Sequence, residues 1–337
     1  MFFVLVSLLL FVITSLINFI LIKFNFFIDN KKLLAHKNFT ASKLSVPYSG
    51  GIILLICLIF LIPYFNYIDK IFFLFIFFLG LFSDYGALNS PIKRFTLQLL
   101  IVSLFLFFSK IFIISLNLEF FDNLLSIKYI SFLFTLLCIL ILINGSNFLD
   151  GVNTLVIGYY LLVIFTLLLL INYLNLNFDT LPLEVIGICL SIIFIFNFLG
   201  KLYLGDNGSY LLAFSVGFLL INFINNNLSI SPFFIALLLW YPVFENLFSI
   251  IRKKINKVPA SKPDNLHLHH LLFIFLNKKI NKHNVANTTT GILINVYNLI
   301  IFSIGFNYYF YTKTLVFLLL INILVYVVLY SILRKDI

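Results

Sequence analysis

Apolar runs of about 15–21 residues recur along the whole chain, near residues 2–22, 50–66, 69–82, 96–115, 130–147, 153–173, 183–198, 209–227, 230–250, 290–310 and 314–332. Short polar stretches separate them. A helix that crosses a bilayer needs roughly 20 predominantly apolar residues. In lipid the backbone must satisfy its own hydrogen bonds, which a helix does within one segment. The pattern therefore predicts an all-α polytopic integral membrane protein. The runs at 50–66, 69–82 and 183–198 are short, so the expected count is ten or eleven transmembrane helices. No internal repeat or low-complexity linker divides the chain, and residues 1–337 read as one transmembrane domain. Residues 251–289 form its one long loop.

Composition narrows the picture. Of 337 residues, 62% are hydrophobic and 10% charged, which leaves no room for a sizeable soluble domain. Cys57, Cys138 and Cys189 all lie inside apolar runs without CxxC or histidine spacing, and read as small hydrophobes. The run at 2–22 has no basic residue before it and no small-residue cleavage site after it. Lys23 follows it instead, so a retained first helix with its N-terminus outside is expected.

That orientation puts loops 23–49, 83–95, 144–152, 199–208 and 251–289 and the tail after 332 on one side. They hold 18 of the 22 Lys and Arg, while Lys70, Lys110, Lys128 and Lys313 lie elsewhere, so the positive-inside rule assigns that side to the cytoplasm. The net charge of +10 is then mainly a topology signal, and nucleic acid is not an expected partner. The basic excess also suits an anionic substrate or membrane lipids.

The acids are more informative. Apart from Asp29 and the tail residue Asp336, the cytoplasmic acids are Asp84, Asp150, Asp206, Glu245 and Asp264, each at or near the end of a different span or in the long loop. Four clusters result. "GLFSDYGALNSPIKRFTLQ" carries Asp84, Lys93, Arg94 and Gln98. "NGSNFLDGVNTL" carries Asn144, Asn147 and Asp150. "NFLGKLYLGDNGSYL" carries Asn197, Gly205, Asp206, Gly208 and Ser209. "YPVFENLFSIIRKK" and "KPDNLHLHHLL" carry Glu245, Arg252, Asp264, His267, His269 and His270.

Each cluster has an ordinary reading when taken alone. Gly-Asp-Asn-Gly-Ser is a good turn and helix start, Asp150-Gly151 a turn, and Lys93-Arg94 a pair of interfacial anchors. Three of five histidines within four positions are harder to dismiss and point to metal or phosphate. Taken together, Asp84, Asp150 and Asp206 come from three loops on one face. Three converging carboxylates repel unless a cation sits among them. Carboxylate and amide oxygens suit Mg²⁺ or Mn²⁺. Lys93, Arg94, Arg252 and the histidines supply donors for phosphate oxygens. That combination is the chemistry of phosphoryl transfer, at a boundary where a soluble donor and a lipid phosphate meet.

In order along the chain, Pro47-Tyr48-Ser49-Gly50-Gly51, Asn144-x-x-Asn147-x-x-Asp150-Gly151, Gly205-Asp206-x-Gly208-Ser209 and His267-x-His269-His270 resemble the polyprenyl-phosphate N-acetylhexosamine-1-phosphate transferases (glycosyltransferase family 4). That family includes the phospho-N-acetylmuramoyl-pentapeptide transferases. The histidine spacing is more like the undecaprenyl-phosphate GlcNAc-1-phosphate, O-antigen type. The resemblance implies a multi-pass protein of the bacterial inner membrane that serves O-antigen or another cell-envelope glycan. Its reaction moves N-acetylhexosamine 1-phosphate from a UDP-sugar, by default UDP-GlcNAc, to undecaprenyl phosphate, with release of UMP and dependence on Mg²⁺. UDP-FucNAc, UDP-QuiNAc and UDP-GalNAc are open donors, a choice expected to rest with loop 251–289, and a homodimer is compatible.

Residue by residue, the resemblance implies that Asp206 ligates Mg²⁺ and that Asp84 lies near the metal and the lipid phosphate. Asp150, Asn144 and Asn147 would shape the nucleotide site, Tyr203 would stack on uracil and Asn153 would lie beside it. His267, His269, His270 and Arg252 would hold the diphosphate and sugar. Lys93, Arg94, Asn197, Gly205 and Ser209 complete the expected substrate-binding set. The chain departs from the family pattern at Ser83, where an Asp usually precedes Asp84. It also departs at Glu245, commonly Asp, and at Thr154, usually Gly. A transporter or flippase of a lipid-linked or phosphorylated substrate, and a catalytically inactive assembly scaffold, are the competing readings. Against transport, ionisable groups gather at one interface and not at span centres.

Overall fold

The structure is a computed structural model and describes residues 1–28, 46–259 and 264–335. Most of the first basic loop, with Asp29, and the tail acid Asp336 lie outside the described residues. Fourteen α-helices occur among the described residues, with one isolated β-bridge, Ile28 to Pro47, and no strand. They are α1 (Phe2–Lys23), α2 (Gly50–Ile56, continued as a π-turn Cys57–Leu61), α3 (Tyr67–Asp84), α4 (Pro91–Ser109), α5 (Glu119–Leu125), α6 (Lys128–Leu149) and α7 (Leu155–Leu174). Then follow α8 (Leu181–Phe198), α9 (Gly205–Asn226), α10 (Pro232–Leu238), α11 (Trp240–Ile255), α12 (Leu268–Ile280), α13 (His283–Phe306) and α14 (Thr312–Lys335).

Eight of these are long and apolar enough to cross a membrane, or nine if α10 and α11 count as one bent span. Counting α10 and α11 as one span, the expectation of ten is met if either α2 or α3 also crosses, and eleven if both do. The short apolar helix Gly50–Leu61 falls below spanning length. α3 has 18 residues and carries Asp69, Lys70 and Asp84.

Local chemistry sets several boundaries. Asn66 accepts from the backbone of Ile68 and Asp69, and Asp69 answers to Asn66 N, a capping box that starts α3. Ser90 followed by Pro91 starts α4, and Ser231 followed by Pro232 starts α10. The apolar run expected as 96–115 stops being helical at Ser109. Lys110 turns left-handed, and Ile113 bonds instead to Thr135 and Ser131 of α6. The run expected as one span at 230–250 breaks at Leu239 with a 71° bend. Pro242 has no N–H for the carbonyl of Leu238, four residues earlier. The hydroxyl of Tyr159 takes that carbonyl at 2.8 Å.

α9 is the central helix. Nearly all its residues are buried, as expected for a helix apolar on every side. α2, α3 and α6 pack against it. The ends of α3 and α6 and the start of α2 meet the start of α9. α7 and α13 pack side by side, and the start of α7 meets the middle of α13, where Asn295 donates to the carbonyl of Thr154. The polar motifs thus share one end of the bundle. The long loop 251–289 differs from expectation. α11 continues to Ile255, the histidine motif opens α12, and α13 already begins at His283.

Candidate active site

Asp206 lies in the first turn of α9, where the helix dipole favours a carboxylate, and it is buried. Its Oδ2 accepts from Ser83 Oγ at 2.6 Å and from Arg94 Nη1 at 3.2 Å. Its Oδ1 accepts from Asn147 Nδ2 at 2.8 Å. Arg94 also donates to Ser83 Oγ at 2.8 Å, and Asn147 reaches Ser209 Oγ at 3.2 Å. One carboxylate therefore draws side chains from α3, α4 and α6 to the start of α9. Ser83, at the position of an expected carboxylate, is the hydroxyl that joins Arg94 to Asp206.

Asp84 lies beside Asp206 and caps its helix. Its Oδ1 accepts from Asp206 N at 3.0 Å, and its Oδ2 from Asn207 N at 2.9 Å and Asn207 Nδ2 at 2.7 Å. It caps α9 from a distant part of the chain, satisfying amides that a helix start leaves orphaned. Gly205 makes this approach possible: its φ is +75°, and a methyl there would stand 2.8 Å from Asp84 Oδ2. Asn144 donates to Gln98 Oε1 and to the Leu140 carbonyl, each at 2.8 Å. Lys93 is exposed on α4.

Asp150 and Gly151 follow α6 directly, and a methyl on Gly151 would lie 2.5 Å from His270 Nε2 and 2.7 Å from His269 Nε2. Phe148 packs on the His267 ring at 5.1 Å. Consecutive turns at the end of α6 thus touch Asp206 on one side and the histidines on the other. His269 is fully buried, and neither ring nitrogen has a partner. Burial, then the neighbouring His270 and His267, hold its pKa well below the usual histidine value. His267 Nδ1 lies 2.9 Å from Glu245 Oε1, and Glu245 is wholly buried.

Arg252, expected to hold the diphosphate and sugar, is buried and fully engaged by protein partners. It donates to Asp264 at 2.8 and 3.0 Å, to the carbonyl of Leu266, to Tyr330 and to Ser249. Burial raises the Asp264 pKa, but His267, the Leu266 amide, Arg252 and Lys253 outweigh it and hold the carboxyl below its usual range.

Beside this end lies a cleft of about 290 Å³. Asn153 and Tyr203 both line it, as the motifs had grouped them, and so do Asn284, Asn287 and Thr288 from α13. Asn287 Oδ1 accepts from Asn153 N at 2.6 Å. Asn197 is buried and structural: Oδ1 accepts from Thr154 N at 2.6 Å and Nδ2 donates to the Leu202 carbonyl at 2.8 Å, so it fixes both loops flanking the cleft. Thr154 stands in the left-handed region at φ 68°, which explains why a glycine suits that position.

Among the described residues no three His, Cys, Asp or Glu side chains lie close enough to hold one ion. Asp84, Asp150 and Asp206 therefore do not form the expected three-carboxylate cage. Besides the Arg94 guanidinium on Oδ2, the groups around the Asp206 carboxylate are hydroxyl or amide groups: Ser83 Oγ, Asn147 and, beyond Asn147, Ser209 Oγ. That set fits Mg²⁺, which is commonly held by one or two carboxylates together with substrate phosphates.

Residues 68–224 match the model of glycosyl transferase family 4. That stretch belongs to the family. A relative from Bacillus subtilis (strain 168), described as a probable undecaprenyl-phosphate N-acetylglucosaminyl 1-phosphate transferase, is 28% identical over 207 residues. The match covers 58% of this chain and 55% of the relative, so the chain spans just over half the length of that protein. The family resemblance read from the motifs is thereby borne out.

The structure brings together Asp206, Asn147, Ser209 and Arg94 in one group, and Asp150-Gly151 with the histidines in another. Lys93 stands outside both. The sequence reading missed Asn287 and Asn295 of α13 and Tyr326 and Tyr330 of α14. The tyrosines carried a faint signal, since an i, i+4 pair in an apolar run shares one helix face.

Proposed function

We propose that this protein transfers N-acetylhexosamine 1-phosphate from a UDP-sugar, with UDP-GlcNAc as first choice, to undecaprenyl phosphate. The products are UMP and an undecaprenyl-diphosphate sugar, made at the cytoplasmic face of the bacterial inner membrane for a cell-envelope glycan. The observation that carries this reading is the meeting of the motifs at one end of the bundle, with Asp206 and the histidines both touching the last turn of α6. The family match over 68–224 supports it. The distribution of Lys and Arg supports the orientation.

In this reading the cleft beside Asn153 and Tyr203 takes the uracil, with the ring of Tyr203 as its stacking face. His269 and His270 hold the donor diphosphate. The two orphaned nitrogens of His269 support this, because a buried polar atom without a partner costs about 1–3 kcal/mol until a ligand satisfies it. Asp206, with Ser83, would hold Mg²⁺ or Mn²⁺, which supplies charge neutralisation on the phosphates when bound. Arg94, about a quarter exposed, donates to phosphate oxygens from the α4 side. Asp84 keeps the start of α9, and hence Asp206, in place.

The lipid phosphate attacks the β-phosphorus in line. A new P–O bond forms to the lipid, the bond to UMP breaks, and UMP leaves with the bonding electron pair. A phosphate monoester has a second pKa of about 6, so much of the lipid phosphate is already dianionic at neutral pH. No carboxylate base is needed where Ser83 stands. The test is purified protein with undecaprenyl phosphate, Mg²⁺ and a panel of UDP-sugars. At least one donor must release UMP, and silence across the panel would sink the proposal.

A further inference from the structure

Two tyrosines of the last helix, outside the region that matches the family, are tied to the supports of the histidine turn. Tyr326 and Tyr330 are one turn apart on α14 and both are buried. Tyr326 OH donates to Glu245 Oε2 at 2.8 Å, while Oε1 of the same carboxylate faces His267 Nδ1 at 2.9 Å. Tyr330 OH accepts from Arg252 Nη1 at 3.1 Å, and its ring lies 5.8 Å from the guanidinium carbon. Arg252 in turn grips Asp264 and the carbonyl of Leu266, and Leu266 N bonds to Asp264 Oδ1 at 3.0 Å. Phe248 packs edge-on against both tyrosine rings, at 5.2 and 4.8 Å.

The hydrogen bonds that tie residues 264–267 to α11 thus converge on Glu245 and Arg252, with Lys253 adding an ion pair to Asp264 at 3.5 Å. Glu245 and Arg252 are each held by one α14 hydroxyl. A wholly buried Glu245 with a flexible side chain needs both of its partners to keep one rotamer. The partner that orients a working histidine matters nearly as much as the histidine itself.

We infer that Tyr326 and Tyr330 act as a positioning clamp, by which α14 sets the histidine turn for the second phosphate of a nucleoside diphosphate. The inference rests on the reading of the histidines as the diphosphate site. Its experiment is a binding measurement and does not require turnover. UDP and UMP affinities are compared by calorimetry for the full chain in detergent micelles, for wild type, Tyr326→Phe and Tyr330→Phe. Tyr297→Phe is the matched control. It removes a tyrosine hydroxyl bond to Asn322 of α14, away from the histidine turn.

The clamp predicts that both α14 variants lose UDP affinity roughly tenfold, the lower end of what loss of a partner orienting a metal-bound histidine costs, because each tyrosine acts through Glu245 or Arg252. Their UMP affinity holds, and the control keeps both affinities. Unchanged UDP affinity in the α14 variants overturns the clamp. So does an equal loss for UMP, or an equal loss in Tyr297→Phe, because either marks a general packing effect. If wild type binds UDP through these tyrosines yet releases no UMP with any donor, the transferase reading falls and the clamp stands. Wild type that fails to bind UDP overturns both.

Discussion

Replacing Asp84 by Asn separates two roles that a carboxylate at this position could have. The carboxylate accepts three hydrogen bonds from the start of α9, two on Oδ2 and one on Oδ1. An amide has one acceptor oxygen. If it keeps the two bonds from Asn207, its NH₂ group faces the amide of Asp206, donor against donor. The lost bond to a charged acceptor costs about 1.5–3 kcal/mol. Removing negative charge from the helix start adds about 0.3–1 kcal/mol. The sum is roughly 3 kcal/mol of stability. Equilibrium unfolding in mixed micelles reads that loss, and an Mg²⁺ titration of UMP release reads the metal. The cap predicts a large fall in stability with the half-saturating Mg²⁺ concentration unchanged in the folded fraction. Normal stability with a raised Mg²⁺ requirement would refute the reasoning and make Asp84 a ligand.

Three further outcomes follow from the same geometry. Gly205→Ala forces a side chain into a left-handed position, at about 1–2 kcal/mol, and pushes on Asp84; unfolding and activity assays should both show a loss. Ser83→Ala removes the hydroxyl between Arg94 and Asp206, worth about 1 kcal/mol, so kcat/KM should fall roughly fivefold; an unchanged value would show that the bridge is idle. His269 has a folded pKa depressed well below its ordinary value. The unfolded chain therefore takes up a proton that the folded one refuses, and stability falls as pH drops below the ordinary histidine value of about 6.5. His269→Gln should flatten that slope by about one proton in unfolding measured across pH.

Most of the architecture was legible because lipid imposes a simple rule on helix length and polarity. Breaks inside apolar runs were not. Ile111–Ile114 carry no polar signal, and their departure from helix depends on Ser131 and Thr135 of α6; at Leu239 the sequence offers Pro242, but the Tyr159 hydroxyl that takes the freed Leu238 carbonyl comes from another helix.

The candidate site divides in the same way. Asn147, Asp206, Ser209 and the histidines announced themselves by spacing, because a motif keeps its members close in sequence. Asp84 was found and does lie against Asp206, but its cap on α9 was not legible, since a sequence cannot say which of several converging acids caps a helix. Arg252 looked like a free donor, and only packing reveals its commitment to Asp264, the Leu266 carbonyl and Tyr330. Asn287, Tyr326 and Tyr330 enter from helices far along the chain, where a polar residue in an apolar run has no local partner to mark it.

The central claim is that Asp206 anchors a sugar-phosphate transfer. The most direct measurement is UMP release from UDP-GlcNAc and the other UDP-sugars, with undecaprenyl phosphate and Mg²⁺, by wild type and by Asp206→Asn. The account predicts Mg²⁺-dependent UMP release by wild type with at least one donor, and loss of turnover in Asp206→Asn while the protein stays folded. Near-normal turnover in the folded variant, or no UMP from wild type with any donor, would contradict it.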